Sequence, residues 1–169
     1  MDPLSPIMNA AQGQILMKVD RYEDAIASML RAADLDPNLG LVHLWLMWAY
    51  ILVERYDDAE RSARLGAALI GEDPEEYATM VRAVEDPELL KRQALEILAT
   101  SADKHWELSP ATRAQWYALL GENDLALESL AGVVDGGLGN ANAIRHPTVK
   151  PLSGDPRFAD LLERLGLPE

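Results

Sequence analysis

The sequence predicts an all-α chain, a solenoid of helical hairpins stacked side by side. Tyr22 and Ala25 return as Tyr56 and Ala59, each after 34 residues, and a fixed period of this size marks a repeated helix–turn–helix unit. Ala and Leu dominate, Phe occurs once, and no alternating Val/Ile/Thr run reads as a strand. Pro follows a capping side chain at Asp36-Pro37, Asp73-Pro74, Asp86-Pro87, Asp155-Pro156, Ser5-Pro6 and Ser109-Pro110. That pairing marks helix starts, because Pro costs nothing where the N–H has no helical partner.

Helices are expected in order at 6–19, 22–35, 39–53, 56–70, 74–84, 87–101, 110–120 and 123–134, making four hairpins. The first and second follow from the period, with Pro37 ending the first copy in the turn before 39–53. The fourth follows from Ala114, Tyr117, Gly121 and Ala126, which keep the spacing of Met47, Tyr50, Glu54 and Ala59 displaced by 67 residues. That displacement leaves room for one degenerate copy, filled by 74–107 with Ala94 in its second helix. From 136 to 154, Gly136, Gly137, Gly139, Pro147, Pro151 and Gly154 break any long helix, although Ala141–Ile144 can form one turn. A last helix covers 156–165 and stops at Gly166. Phe158, Leu161, Leu162 and Leu165 form its apolar stripe. A terminal repeat exposes an apolar face that needs a cap, so Phe158 and Leu162 are expected to pack on 123–134. Residues 1–135 then form the array, 136–154 an irregular connection and 155–169 the cap, all in one domain.

The two clear copies resemble the tetratricopeptide repeat (TPR), and what that resemblance implies is a right-handed α-solenoid of about four such hairpins. In that family a small residue on the first helix meets a small residue on the second. Gly13 holds the first place in copy one and Met47 departs from it in copy two, which implies a wider crossing there. Ala25 and Ala59 hold the second place, with Ala32 and Gly66 following, while Leu16 and Tyr50 take the aromatic-or-Leu position. Helices packed at about 8–10 Å accept only small side chains where their axes come nearest. Tyr22, Tyr56 and Pro37 complete the signature. The run from Leu120 to Ala126 and the tail from His146 to Pro168 resemble the closing segment of TPR arrays in bacterial signalling and regulatory proteins. The chain is therefore read as an excised domain or a small stand-alone relative of such arrays.

The helix at 39–53 is the candidate site, since it is apolar almost all round. Leu46, Met47 and Tyr50 fall on the packing positions of the repeat. The resemblance places Leu44, Trp45, Trp48, Ile51 and Leu52 on the concave groove, joined by Met17 and Lys18 from the first hairpin and by Arg82 and Gln115 from later ones. Burying a large apolar side chain is worth about 1.5–3 kcal/mol, so Trp45 and Trp48 need a cover. A peptide partner, a second subunit and the chain's own 137–152 segment are the three covers considered. The functional expectation is a protein-interaction scaffold whose groove takes a partner segment; the alternative is a homodimerisation domain using 39–53. The clamp of Lys, Asn and Arg by which some TPR proteins hold a peptide carboxylate is absent, its places being taken by Ala10, Gln14, Leu44 and Trp48.

Catalysis finds no support in the residues, and the chain is read as a non-enzyme without metal or cofactor. His43, His105 and His146 are dispersed, His43 being read as a packing or capping residue, and neither a metal-ligand spacing nor a phosphate loop occurs. The net charge of −13 repels phosphate backbones and anionic membranes. It favours solubility and leaves a neutral or basic peptide as the fitting partner class. The longest apolar run, Leu41–Val53 interrupted by His43, has 13 residues and is too short to cross a bilayer. With no Cys and no basic-then-apolar leader, a cytoplasmic location is expected. Glu60 is read as an exposed position where Gln is tolerated.

Overall fold

The computed structural model describes residues 5–100, 109–136 and 141–167. All regular structure among them is helical. Ten α-helices follow one another: α1 (Pro6–Lys18), α2 (Tyr22–Leu35), α3 (Gly40–Leu52), α4 (Tyr56–Ile70), α5 (Pro74–Glu85), α6 (Pro87–Thr100), α7 (Pro110–Leu119), α8 (Asn123–Asp135), α9 (Ala141–Ile144) and α10 (Pro156–Arg164). A 3-10 segment, Pro147–Gly154, lies before α10. The expected boundaries hold to within about two residues, and four of the Pro pairs cap their helices as expected, whereas Asp36-Pro37 lies in the turn ahead of α3, whose N-cap is Leu39 with no side-chain bond. Ser5 accepts from the Met8 N–H, Asp73 from Glu75, Ser109 from Thr112 and Asp155 from Arg157.

The chain divides into two compact units, residues 1–94 and 95–169, with the break inside α6. In the first, α1 packs on α2, α2 on α3, α3 on α4 and α4 on α5, each against its neighbour in sequence. In the second, α7 packs on α8. The three hairpins α1–α2, α3–α4 and α7–α8 thus coincide with the three copies matched residue by residue.

One turn is built three times. Asp20 and Glu54 have φ of 60° and 59°, and Gly121 has 75°. After each, a backbone N–H reaches back to the preceding helix: Arg21 to Leu16 at 3.0 Å, Arg55 to Tyr50 at 2.9 Å and Glu122 to Tyr117 at 2.8 Å. This left-handed closure satisfies carbonyls that the helix end leaves open. Side chains repeat as well, since Arg21 Nε donates to Asp24 and Arg55 Nε to Asp58, both at 2.8 Å.

The helices cross on small residues. A Cβ built at Gly13 would lie 2.5 Å from Met29 Cγ and 3.1 Å from the Ala25 carbonyl oxygen. One at Gly66 would lie 2.8 Å from Leu44 Cδ2 and 3.0 Å from the Leu44 nitrogen. Ala25, Ala32, Ala59, Ala63 and Ala67 are fully buried. In the second unit the core joins Ala114, Ala118, Ala126, Leu127 and Leu130 to Val149, Leu152, Phe158 and Leu161. The 3-10 segment packs on α7, and α10 packs on α8, with Leu162 half-buried against the same core. No helix among the described residues is long and apolar enough to cross a membrane.

Candidate functional site

Helix α3 has no side-chain cap at its N-terminus and ends at Leu52, with Val53 as its C-cap just before the left-handed Glu54. Its apolar surface is shared between core and surface in a way the sequence left open. Val42, Leu44, Leu46, Met47, Trp48, Tyr50 and Ile51 are buried. Trp45 and Leu52 are half-buried, and Leu41 is exposed. Leu41, Trp45, Trp48 and Leu52 follow helical spacing along one stripe, so solvent reaches this stripe at Leu41, Trp45 and Leu52 and is excluded at Trp48.

The nine residues read as a groove therefore separate, with Lys18 half-buried at the end of α1. Met17 and Ile51 are buried, and Leu44 fills the α3–α4 crossing against Gly66. Trp48 is 6% exposed, so the pair of open tryptophans reduces to Trp45, and the cover over Trp48 comes from the chain itself. Gln115, on α7 in the second unit, is buried too. Arg82 is the exposed member, and it is held by a carboxylate. Its Nε donates to Glu60 Oε2 at 2.8 Å and its second guanidinium nitrogen to Glu60 Oε1 at 2.5 Å. Arg64 Nε also donates to Glu60 Oε1, at 3.0 Å, and Arg64 bonds Glu75. Glu60 is thus a half-buried hub, and the reading of it as an exposed, indifferent position is corrected. Its carboxyl is held below the usual glutamate range, first by the bond from Arg82 and then by that from Arg64, against the opposing effect of burial.

Around the α3–α4 turn, the Arg55 guanidinium carbon lies 4.7 Å from the centroid of the Tyr50 ring, a cation–π distance. Burial pushes the Tyr50 hydroxyl up. Tyr22 donates its hydroxyl to Asp20 Oδ1 at 2.6 Å, and burial together with that acceptor raises it to about 12. His43 Nε2 sits 3.3 Å from the Pro37 carbonyl oxygen, ahead of α3. His146 caps the 3-10 segment, its Nδ1 accepting from the Thr148 N–H. His105 lies outside the described residues. Among those residues no group of three or more His, Asp or Glu could hold a metal ion.

A second concavity, unforeseen from the sequence, lies between α8 and α10 with a volume of about 400 Å³. Leu127, Ala131 and Leu161 line it, and Asp124, Glu128, Asp160, Arg157 and Arg164 supply its charged members. Both arginines are committed within the unit: Arg157 to Asp124 at 2.8 Å and Asp155 at 2.7 Å, and Arg164 to Asp135. The signal for it was Arg157 and Arg164 seven residues apart on one face of the last helix, but their partners on α8 are not readable from spacing.

What the fold and these surfaces define is an all-α protein of paired helices. Comparison with protein-family models, with curated proteins and with solved structures returns no match.

Proposed function

We propose that the chain is a protein-interaction scaffold of the TPR type, a right-handed array of about four hairpins that binds a partner segment and serves as the regulatory part of a larger bacterial protein or complex in the cytoplasm. The observation that carries this reading is the stripe of Leu41, Trp45 and Leu52, three large apolar side chains kept in contact with water on a helix otherwise given to the core. A half-exposed Trp flanked by Leu offers an anchor of the kind that dominates interface energies. The stacked hairpins beneath it support the same reading, since stacked repeats present extended binding surfaces. The segment it takes is apolar in its anchoring residues and neutral or basic overall, given the chain's charge of −13. The site is correspondingly narrower than the nine-residue groove, and its role is binding without chemistry.

Panning a random peptide library against the chain tests it. Enriched peptides should bind the parent and the control Leu125→Ala, and lose most of their affinity for the double variant Trp45→Ala, Leu52→Ala. Equal binding by the double variant and the parent would dispose of the α3 stripe as the binding surface.

A further inference from the structure

Among the described residues, four of the eleven exposed large hydrophobic side chains lie on α1 or directly after it: Ile7 at 71%, Met8 at 39%, Ile15 at 59% and Val19 at 60%. The other seven are spread over five helices. The buried residues of α1 are Asn9, Ala10, Gly13 and Met17, which face α2. Met8, Ala11, Ile15 and Val19 lie directly opposite, at intervals of three, four and four. That spacing is the seam of a helix that packs on another helix, yet among the described elements the main contacts of α1 are with α2 and, far more weakly, α3.

We propose that this outer face of α1 is the contact of a homodimer, in which two α1 helices run antiparallel and cross at Ala11. Two observations select a second copy as the occupant. Within this face Ile7, Ala11 and Ile15 are self-complementary: Ile7 and Ile15 stand four residues to either side of Ala11, so a two-fold axis through Ala11 sets Ile7 of each copy against Ile15 of the other, with the small side chain where the axes come nearest. The seam is also free of acid. No Asp or Glu occurs in α1 and its single charge is Lys18, in a chain of net charge −13. Two copies of a strongly acidic molecule meet at least electrostatic cost on a face without carboxylates. A seam of 13 residues is about 20 Å long, which fits a weak, concentration-dependent dimer. This surface is separate from the α3 stripe, so the two proposals stand or fall independently.

Sedimentation equilibrium of the full chain over a concentration series is the test, with circular dichroism confirming that each variant keeps its helices. The parent should dimerise. Ile7→Lys and Ile15→Glu, both at exposed positions, should each be monomeric, and mixing the two variants should restore association, because each Lys then faces a Glu across the axis. Failure of the mixture to associate would overturn the antiparallel crossing. A parent that stays monomeric at its highest soluble concentration, or an Ile15→Glu variant as dimeric as the parent, would overturn the interface. A monomeric parent that still binds peptides through Trp45 counts against this proposal alone.

Discussion

Asp20 and Glu54 adopt the same left-handed backbone conformation, φ 60° and 59°, at the same point of two turns 34 residues apart. Neither is Gly, although the matching position of the fourth copy is Gly121, φ 75°. A side chain in this region costs about 1 kcal/mol or more. The repeat thus keeps the turn even where the residue resists it, and the hydrogen bonds closing the turn offset the strain.

Replacing Glu54 by Gly should relieve that strain and stabilise the chain by about 0.5–1 kcal/mol, net of the extra freedom gained by the unfolded state. Asp20→Gly should gain less, because Asp20 also accepts the Tyr22 hydroxyl at 2.6 Å. Gly121→Ala should lose about 1 kcal/mol, since open space around its Cβ leaves strain as the sole effect. Urea midpoints for the three variants check the order; a destabilised Glu54→Gly variant would show that the side chain does more than occupy the turn.

Close crossing makes a second, sharper prediction. Gly13→Ala places a methyl 2.5 Å from Met29 Cγ and 3.1 Å from a backbone oxygen, so it should destabilise by about 1–3 kcal/mol through overpacking. Gly66→Ala, blocked by the side chain and nitrogen of Leu44, should behave alike. Gly132→Ala on α8 meets nothing within 4 Å and should stabilise by about 0.5–1 kcal/mol through helix propensity. Thermal melts giving the same sign for all three would contradict the packing described.

Much of this was readable before any coordinates. Tyr22, Ala25, Tyr56 and Ala59 announce the hairpins because close helix crossings restrict residue size locally, and that restriction recurs with the period. The site was less legible. A helix that is apolar on every side carries no polar face to say which side meets solvent, so Trp48 in the interior and Trp45 at the surface looked alike. Glu60 was misread for a different reason: its main partner, Arg82, lies 22 residues away on another helix, and ion pairs between helices leave no spacing signature. The same holds for Arg157 and Asp124, 33 residues apart.

The Glu60 hub gives an acid dependence. Its folded-state pKa lies below the ordinary value of 4.5, so the carboxylate's contribution is complete above that value and is lost as pH falls through the lower, folded one. Glu60→Gln should cost about 0.5–1 kcal/mol at neutral pH, discounted for the partial exposure of the network. The cost should shrink towards zero at a strongly acidic pH below the folded-state value, where parent and variant carry similar uncharged groups. Guanidinium melts at the two pH values would reveal it; a difference independent of pH would assign the effect to packing.

The C-terminal cap supports the last prediction. Phe158 is 6% exposed and joins α10 to the core built on α7 and α8. Truncating a buried aromatic removes its transfer energy and leaves a cavity, together about 3–5 kcal/mol, so Phe158→Ala should weaken the second unit severely. Leu162→Ala, only half-buried, should cost less. Because the chain forms two compact units, the damage should be local. Amide hydrogen exchange of Phe158→Ala should lose protection first in 123–135 and 156–164, while 22–70 retains it. Unchanged exchange in 123–135 would show that α8 does not depend on the helix packed against it.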